Sequence, residues 1–420
     1  ATLQFTCACT GLTTIDTSQV FGFGDYHPHW KGARTAGRSV IFYNEEEGLP
    51  SHMAVPFVNA MQAYIESQGG VVMTETPAKH LIWRTDNNDV PEVLGVQAER
   101  DGKPLFIKAC KGVILGAGGY GANQAWKDTF LPGPCPFTGG AAGQTGDGIA
   151  MGAELGAQLW SMHQVWGHFA FTEEARKANE AGIPAPLVFD MTNPGAIMVN
   201  RFGKRFVDES ADYGTKWYAC QRYLSWGDQN WENLPCWMVF DARFVDEVGF
   251  QNKGWLPGEE NIPTGYIKAD TLEELAQLTG IDPAGLVAEI ERFNYFARAG
   301  VDEDFHRGEN QIDNTMMVRD FLMNGHLVEG PTANLAPLET PPYYALEVSL
   351  SEIGTAGGLK INERSEVIHV SGKPVGRLYC AGNNAGLGFK NYGGSGGTLG
   401  QALTFGYIAG SNVTELQPWQ

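Results

Sequence analysis

GVILGAGGYGAN, residues 112–123, is the stretch whose reading decides the fold. An apolar run at 113–115 passes directly into Gly116, Ala117, Gly118 and Gly119. A strand that ends without bulky side chains either turns tightly into a helix or lets its backbone approach a flat ligand. The same texture returns on both sides. GDGIAMGAELGAQLW, from Gly146, carries Ile149, Leu155 and Leu159 at helical spacing, with Gly152 and Gly156 permitting close packing. LYCAG, 378–382, reads as another strand closed by glycine, and the glycines from Gly393 to Gly400 lead into a helix from about Gly397 to Gly410. The N-terminal amides of such a helix suit a developing negative charge. Strands, glycine turns and helices in this succession indicate α/β organisation.

Between these segments, LGVQAER and LFIKAC read as paired strands around Asp101-Gly102, and Asn87-Asn88 as a turn. VVMTETPAKHLIW reads as a strand. Val55, Val58, Met61, Ala63 and Ile65 predict an amphipathic helix started near Ser51 and stopped by Gly69-Gly70. Residues 1–50, punctuated by Gly22, Gly24, Pro28 and Gly32, read as loops with short strands. From about 163 to 345 the chain is rich in Trp, Tyr, Pro and charge. There Thr271 and Glu274 form a capping box, and Pro283 marks a helix start. The expected division is 1–162 and 346–420 as the two parts of one domain, with 163–345 as an inserted, largely helical α+β cap.

Composition narrows the function classes. A net charge of −19 opposes polyanionic partners, so nucleic acid is excluded. No apolar run reaches the roughly 18 to 20 residues of a membrane span, and a soluble, cytoplasmic protein is expected. The 54 glycines in 420 residues exceed the usual share of about 7% and sit in clusters instead of repeats. Seven scattered cysteines read as reduced structural thiols, and Cys7-x-Cys9 lacks the companions a metal site needs, so no metal is expected.

Six segments in order resemble the superfamily of FAD-dependent fumarate reductases, aspartate oxidases and 3-ketosteroid dehydrogenases. They are 112–123, GDGIAMGAELGA (146–157), PGAIMVNRFGKRFVDES (194–210), RFNYFARAGVDEDF (292–305), GTAGGLKINERSEVI (354–368), and LYCAGNNAG followed by GGSGGTLGQALTFGYIAG. The resemblance implies a glutathione-reductase-like FAD-binding domain with an inserted cap. It implies FAD contacts from Ala117, Gly118, Gly119, Asn123, Gly146, Asp147, Gly358, Ala381, Gly382, Asn383, Gly397, Thr398 and Leu399. The superfamily begins with a strand, a GxGxxG turn and a helix for the FAD pyrophosphate. The sequence contains no such unit, so the domain reads as incomplete at its N-terminus. A second polypeptide that supplies the segment is one expectation.

Within the superfamily the chain resembles the 3-ketosteroid dehydrogenases. Where fumarate reductases place an arginine before the GAI.VN segment, this chain has Asp190-Met191-Thr192-Asn193-Pro194. RFVDESADY places Tyr213 at the position of the family's base, and NYGGSGGTLG places Tyr392 and the Gly396 amide at its carbonyl-polarising pair. FGDYHP offers Tyr26 as an auxiliary tyrosine. The implied chemistry is removal of two hydrogens beside a ketone, by a base, a donor to the carbonyl oxygen and a hydride acceptor. Gly393 and Ser395 stand where Δ1-dehydrogenases carry prolines, so another ketone or an enoate stays open as substrate. The alternatives are a fumarate- or urocanate-type enoate reductase, and a non-catalytic or processed chain that needs a partner.

Overall fold

The structure, a computed structural model, describes residues 2–16, 25–27, 30–34, 39–45, 55–85, 90–223, 229–309, 334–387, 392–394 and 396–419. The helix start at Ser51, the Asn87-Asn88 turn, and Gly22, Gly24, Pro28 and Ser395 lie outside the described residues. The chain divides into two compact units: 1–123, 144–165 and 355–420 form the first, and 124–143 with 166–354 form the second. Residues 124–143, placed by the sequence in the first half, cluster with the second unit. Long-range bonds account for it: the Asn179 amide brackets Thr138 by donating to its carbonyl (2.9 Å) and accepting its N–H (2.8 Å). The Gly139 N–H donates to the Glu352 carbonyl at 2.7 Å.

In the first unit, β3 (Ala78–Thr85), β4 (Pro91–Arg100) and β5 (Lys103–Lys108) form an antiparallel meander. Its β4–β5 turn uses Asp101 and Gly102, both at positive φ as a tight hairpin requires. β6 (Val113–Leu115) pairs in parallel with β15 (Pro374–Cys380), and β14 (Glu366–Ile368) completes the sheet on the other side of β15. Residues 71–77 are not strand, and Val71 there is 77% exposed. Thr2–Thr10 is a helix instead of the loop read from the sequence. Its threonines fold their hydroxyls back onto carbonyls four residues earlier, Thr6 to Thr2 and Thr10 to Thr6, and Gly11 ends it at φ +69°. β1 (Thr13–Asp16) then pairs with β2 (Val40–Tyr43), and a short ladder joins β7 (Leu159–Trp160) to β13 (Gly358–Leu359).

The second unit is built on a sheet, β8 (Val165–Phe171), β9 (Ala196–Asn200), β10 (Cys236–Asp241), β11 (Ile267–Ala269) and β12 (Tyr343–Thr355), so it is α+β and not mainly helical. β9 and β10 are buried along their whole length, as strands covered on both faces must be. One face packs Ile197, Val199 and Val239 against Leu275, Leu286, Ile290 and Phe293. Those helices begin where the sequence places them. The Thr271 hydroxyl accepts the Glu274 N–H at 3.2 Å, the Glu274 carboxylate accepts the Asp270 N–H, and Asp282 caps the helix that Pro283 opens.

Four buried charges secure this unit. Arg205 forms ion pairs with Glu209 (2.7 Å) and Asp302 (2.8 Å), Arg307 pairs with Glu209 (3.1 Å), and all four side chains are 0% exposed. Burial alone would push the Glu209 carboxyl up, yet Arg205 and Arg307 hold it below its ordinary value. Arg307 also donates to the carbonyls of Asn193 and Ala196, both at 2.8 Å. Replacing Glu209 by Gln strands two guanidinium ions with one carboxylate. The expected cost is about 3–5 kcal/mol, read as a lower denaturant midpoint, and a wild-type midpoint would refute the assignment.

Candidate active site

The first unit gathers the glycine-rich segments around Asn384, which is fully buried. Its Oδ1 accepts the Ala117 N–H at 3.1 Å. A Cβ on Gly148 would lie 2.0 Å from that same oxygen, and a Cβ on Gly358 2.3 Å from the Asn384 carbonyl. Glycine at both positions is therefore a packing requirement. At the end of β6, Gly118 adopts φ +83°, and a Cβ on Gly119 would strike the Thr355 hydroxyl that accepts the Tyr120 N–H at 3.0 Å. The turn is closed by the Gly146 N–H to the Gly119 carbonyl (3.0 Å) and by the Asn123 amide to the Thr145 carbonyl (3.0 Å). Gly146 caps the helix Asp147–Glu154 at φ +90°, and Asp147 accepts the Thr145 hydroxyl. The Ala381 N–H donates to the Leu115 carbonyl, which locks β15 to β6, and Gly382 follows at φ +64°.

Ala117, Gly118, Gly119, Asn123, Gly146, Asp147, Gly358, Ala381 and Gly382 thus share one neighbourhood. Asn383 joins it to the next, because the Gln401 amide donates to its Oδ1 at 3.1 Å and Gln401 lies in the helix Gly397–Glu415. Asn384 itself was missed in the sequence. Its signal was a second amide inside CAGNNAG, at the end of a strand whose neighbours are glycines and alanines.

Gly396 caps that helix in the left-handed region, φ +78°, and Gly396, Gly397 and Leu399 present exposed backbone at its N-terminus. The Thr398 N–H donates to the Tyr392 hydroxyl at 3.4 Å. Gly397 is confined by the same ring, since its Cβ would stand 3.0 Å from it. Tyr26 is buried beside Tyr392, with ring centroids 6.3 Å apart, and its N–H donates to the Gly393 carbonyl at 3.1 Å. Two phenols and the amide end of a 19-residue helix are thereby brought together. This arrangement suits an oxygen that gains negative charge during a reaction.

Tyr213 belongs to the second unit. It is the first residue of the helix Tyr213–Ala219, is buried, and meets Phe189 edge to face at 6.1 Å. Asp212 caps the helix by accepting the Thr215 N–H (3.0 Å) and hydroxyl (2.6 Å). One turn further on, Lys216 is buried and donates to the Glu209 carbonyl at 2.9 Å. Burial lowers its ammonium to about 8, against the pull of Asp208, Asp212 and Glu209. The helix that presents Tyr213 is tied in this way to the buried ion cluster. Among the described residues no His/Cys/Asp/Glu group could hold a metal, and all seven cysteines are free thiols. Among them, too, no helix is long and apolar enough to cross a membrane.

The chain is 35% identical to the 3-oxosteroid 1-dehydrogenase of Mycolicibacterium smegmatis over 326 residues, 74% of this chain and 54% of that one. It is 32% identical to the 4-oxocyclohexanecarboxylate 2-dehydrogenase of Sinomonas cyclohexanicum over 352 residues, 82% of this chain and 58% of the relative. The chain thus spans little more than half the length of these curated relatives. The crystal structure of 3-ketosteroid Δ1-dehydrogenase from Sterolibacterium denitrificans, in complex with 1,4-androstadiene-3,17-dione, superposes with a TM-score of 0.81 at 26% identity. That match covers 98% of this chain and 83% of the other. Residues 29–399 match the family model described as an FAD binding domain, and the chain belongs to that family.

Proposed function

We propose that this chain is the greater part of an FAD-dependent oxidoreductase that acts on a carbon–carbon bond beside a carbonyl, with a 3-ketosteroid or related cyclic ketone as substrate. The observation that carries the reading is the Tyr392 hydroxyl on the Thr398 amide, at the exposed N-terminus of the helix Gly397–Glu415. The residues fit a flavin. Gly116 and Ala117 at the end of β6, and Gly396 and Gly397 at the helix start, expose backbone without side chains that would block a flat ring system. In this reading Ala117, Gly118, Gly119, Asn123, Gly146, Asp147, Gly358, Ala381, Gly382, Asn383, Gly397, Thr398 and Leu399 hold FAD. When bound, FAD supplies the hydride acceptor.

The protein's own groups do the remaining work. Tyr392 and the Gly396 amide donate to the ketone oxygen, which acidifies the neighbouring carbon. Tyr213 is assigned the role of the base, and Tyr26 that of an auxiliary tyrosine beside Tyr392. A fixed amide on the Tyr392 oxygen orients that hydroxyl as a donor, so little reorganisation accompanies the charge that builds up. The FAD pyrophosphate is assigned to a strand–GxGxxG–helix segment outside these 420 residues, on the same or on a second polypeptide. β6 is paired with β15 on one edge, and its other edge carries no strand among the described residues.

Dye-linked oxidation of androst-4-ene-3,17-dione by the flavin-loaded protein is the direct test. Reduction of an acidic enoate with no turnover of any cyclic ketone would overturn the reading in favour of an enoate reductase. Tyr392→Phe is expected to lower kcat by about 10²–10³-fold while flavin absorbance is retained; unchanged turnover removes it from the oxygen-binding role. Tyr213→Phe is expected to lower kcat by about 10²–10⁴-fold with KM little changed. A variant that keeps its kcat shows that another group is the base.

A further inference from the structure

The chain passes between its two units at four places, after Asn123, Gly143, Val165 and Gly354. Each lies within four residues of a member of one cluster in the second unit, the buried Lys127, His168 and Glu352 and the half-buried Gly139. His168 is on β8 and Glu352 on β12, two paired strands, and their side chains are 1% and 0% exposed. Gly139 joins them. Its N–H donates to the Glu352 carbonyl, and a Cβ there would stand 2.4 Å from the His168 Nε2.

Both side chains are unsatisfied in an unusual way. Neither carboxyl oxygen of Glu352 makes a hydrogen bond of good geometry, the Thr138 side chain only partly offsetting its burial, and the His168 Nε2 has no partner. Thr138 and Lys127 face the carboxyl, but the Lys127 ammonium is itself committed to the Phe137 carbonyl at 3.1 Å. The His168 Nδ1 lies 2.6 Å from the Phe169 carbonyl, so the ring proton is on Nδ1 and Nε2 is a bare acceptor. The remaining titratable groups of the cluster are Cys135, which burial pushes up to about 12 so that it stays a thiol, and Asp128, which faces Cys135.

A buried carboxyl whose donors do not outweigh its desolvation keeps its proton, and a buried imidazole without a counter-charge stays neutral. We propose that the buried Glu352 and His168, each met by 131–143, are both neutral and together make the docking of 131–143 on β8 and β12 insensitive to pH across the mildly acidic range. When 131–143 lifts, water reaches both groups, and the proton that Glu352 gives up is matched by one that His168 takes. The opening then exchanges no net proton with solvent.

Each partner alone tilts the balance in the opposite sense. Burial raises Glu352 from 4.5 to about 7, so the closed form binds a proton the open form releases, and closure weakens as pH rises through that window. Burial lowers His168 from 6.5 to about 4, so the open form binds the extra proton, and closure strengthens as pH rises. Between 4.5 and 6.5 the two slopes cancel.

Hydrogen exchange of peptides within 131–143 in the full chain, corrected for intrinsic exchange, tests this between about pH 5 and about pH 6.5. The wild type is expected to show a flat opening constant. Glu352→Gln should open less with rising pH and His168→Gln more, each by about tenfold per pH unit, with the double variant flat again. A wild-type slope approaching tenfold per unit, or single variants whose slopes share a sign or vanish, overturns the proposal. Either single variant suffices if the other fails to fold, because the sign of its slope is the readout.

Discussion

The second unit depends on one buried contact, the Glu209 carboxylate between the guanidinium groups of Arg205 and Arg307. Two arginines and two acids balance in charge, so the cluster survives burial that an unpaired charge would not. Its reach matters more than its net energy. Glu209 accepts the Met198 N–H and so fixes β9, its main-chain carbonyl receives Lys216 and so fixes the helix of Tyr213, and Arg307 gathers the carbonyls of the 190–196 turn. Phe189, which meets the Tyr213 ring, leads directly into that turn. The helix that carries a candidate base is thereby anchored to the buried charges.

The first unit meets a different demand with different material. The surface proposed to face the cofactor is largely main chain, so position is set by where side chains are missing. Gly148 and Gly358 admit Asn384, Gly119 admits Thr355, and Gly397 admits the Tyr392 ring. Each glycine is paired with a particular intruder, and the intruder carries the hydrogen bond that fixes the turn. The number of glycines in the sequence reflects these approaches as much as any need for tight turns.

Features whose cause is local were legible in the sequence. Thr271, Glu274 and Pro283 predicted helix starts because caps are made within four residues, and the Asp101-Gly102 hairpin follows from backbone that only a few residue types adopt. Ala117, Gly146 and Ala381 were named through the family resemblance, and the structure brings them into one neighbourhood. Distant bonds were not legible. Nothing near Glu209 announces Arg307, 98 residues away, and nothing in FTGG announces that Gly139 docks on Glu352. The helix Thr2–Thr10 was hidden for a subtler reason: threonine reads as a strand former until its hydroxyl folds back on the helix.

Three buried carboxyls in the second unit show how geometry decides whether a burial problem ends in ionisation. Glu209 has two guanidinium groups and a main-chain amide, and it is held ionised below its ordinary value. Glu352 has only the Thr138 side chain and the charge of Lys127 to offset its burial and is pushed up to about 7. Asp190 lies between them: burial drives it up to about 7 even though its Oδ1 accepts the Gln251 N–H at 2.7 Å. One main-chain donor is therefore too little to offset desolvation here, while two fixed cations are enough. Glu209 lies in the turn after β9 and Glu352 on β12, so one unit holds both an ionised and a protonated acid. Glu209 is held ionised and Glu352 neutral, and His168 offsets the proton that Glu352 alone would release on opening.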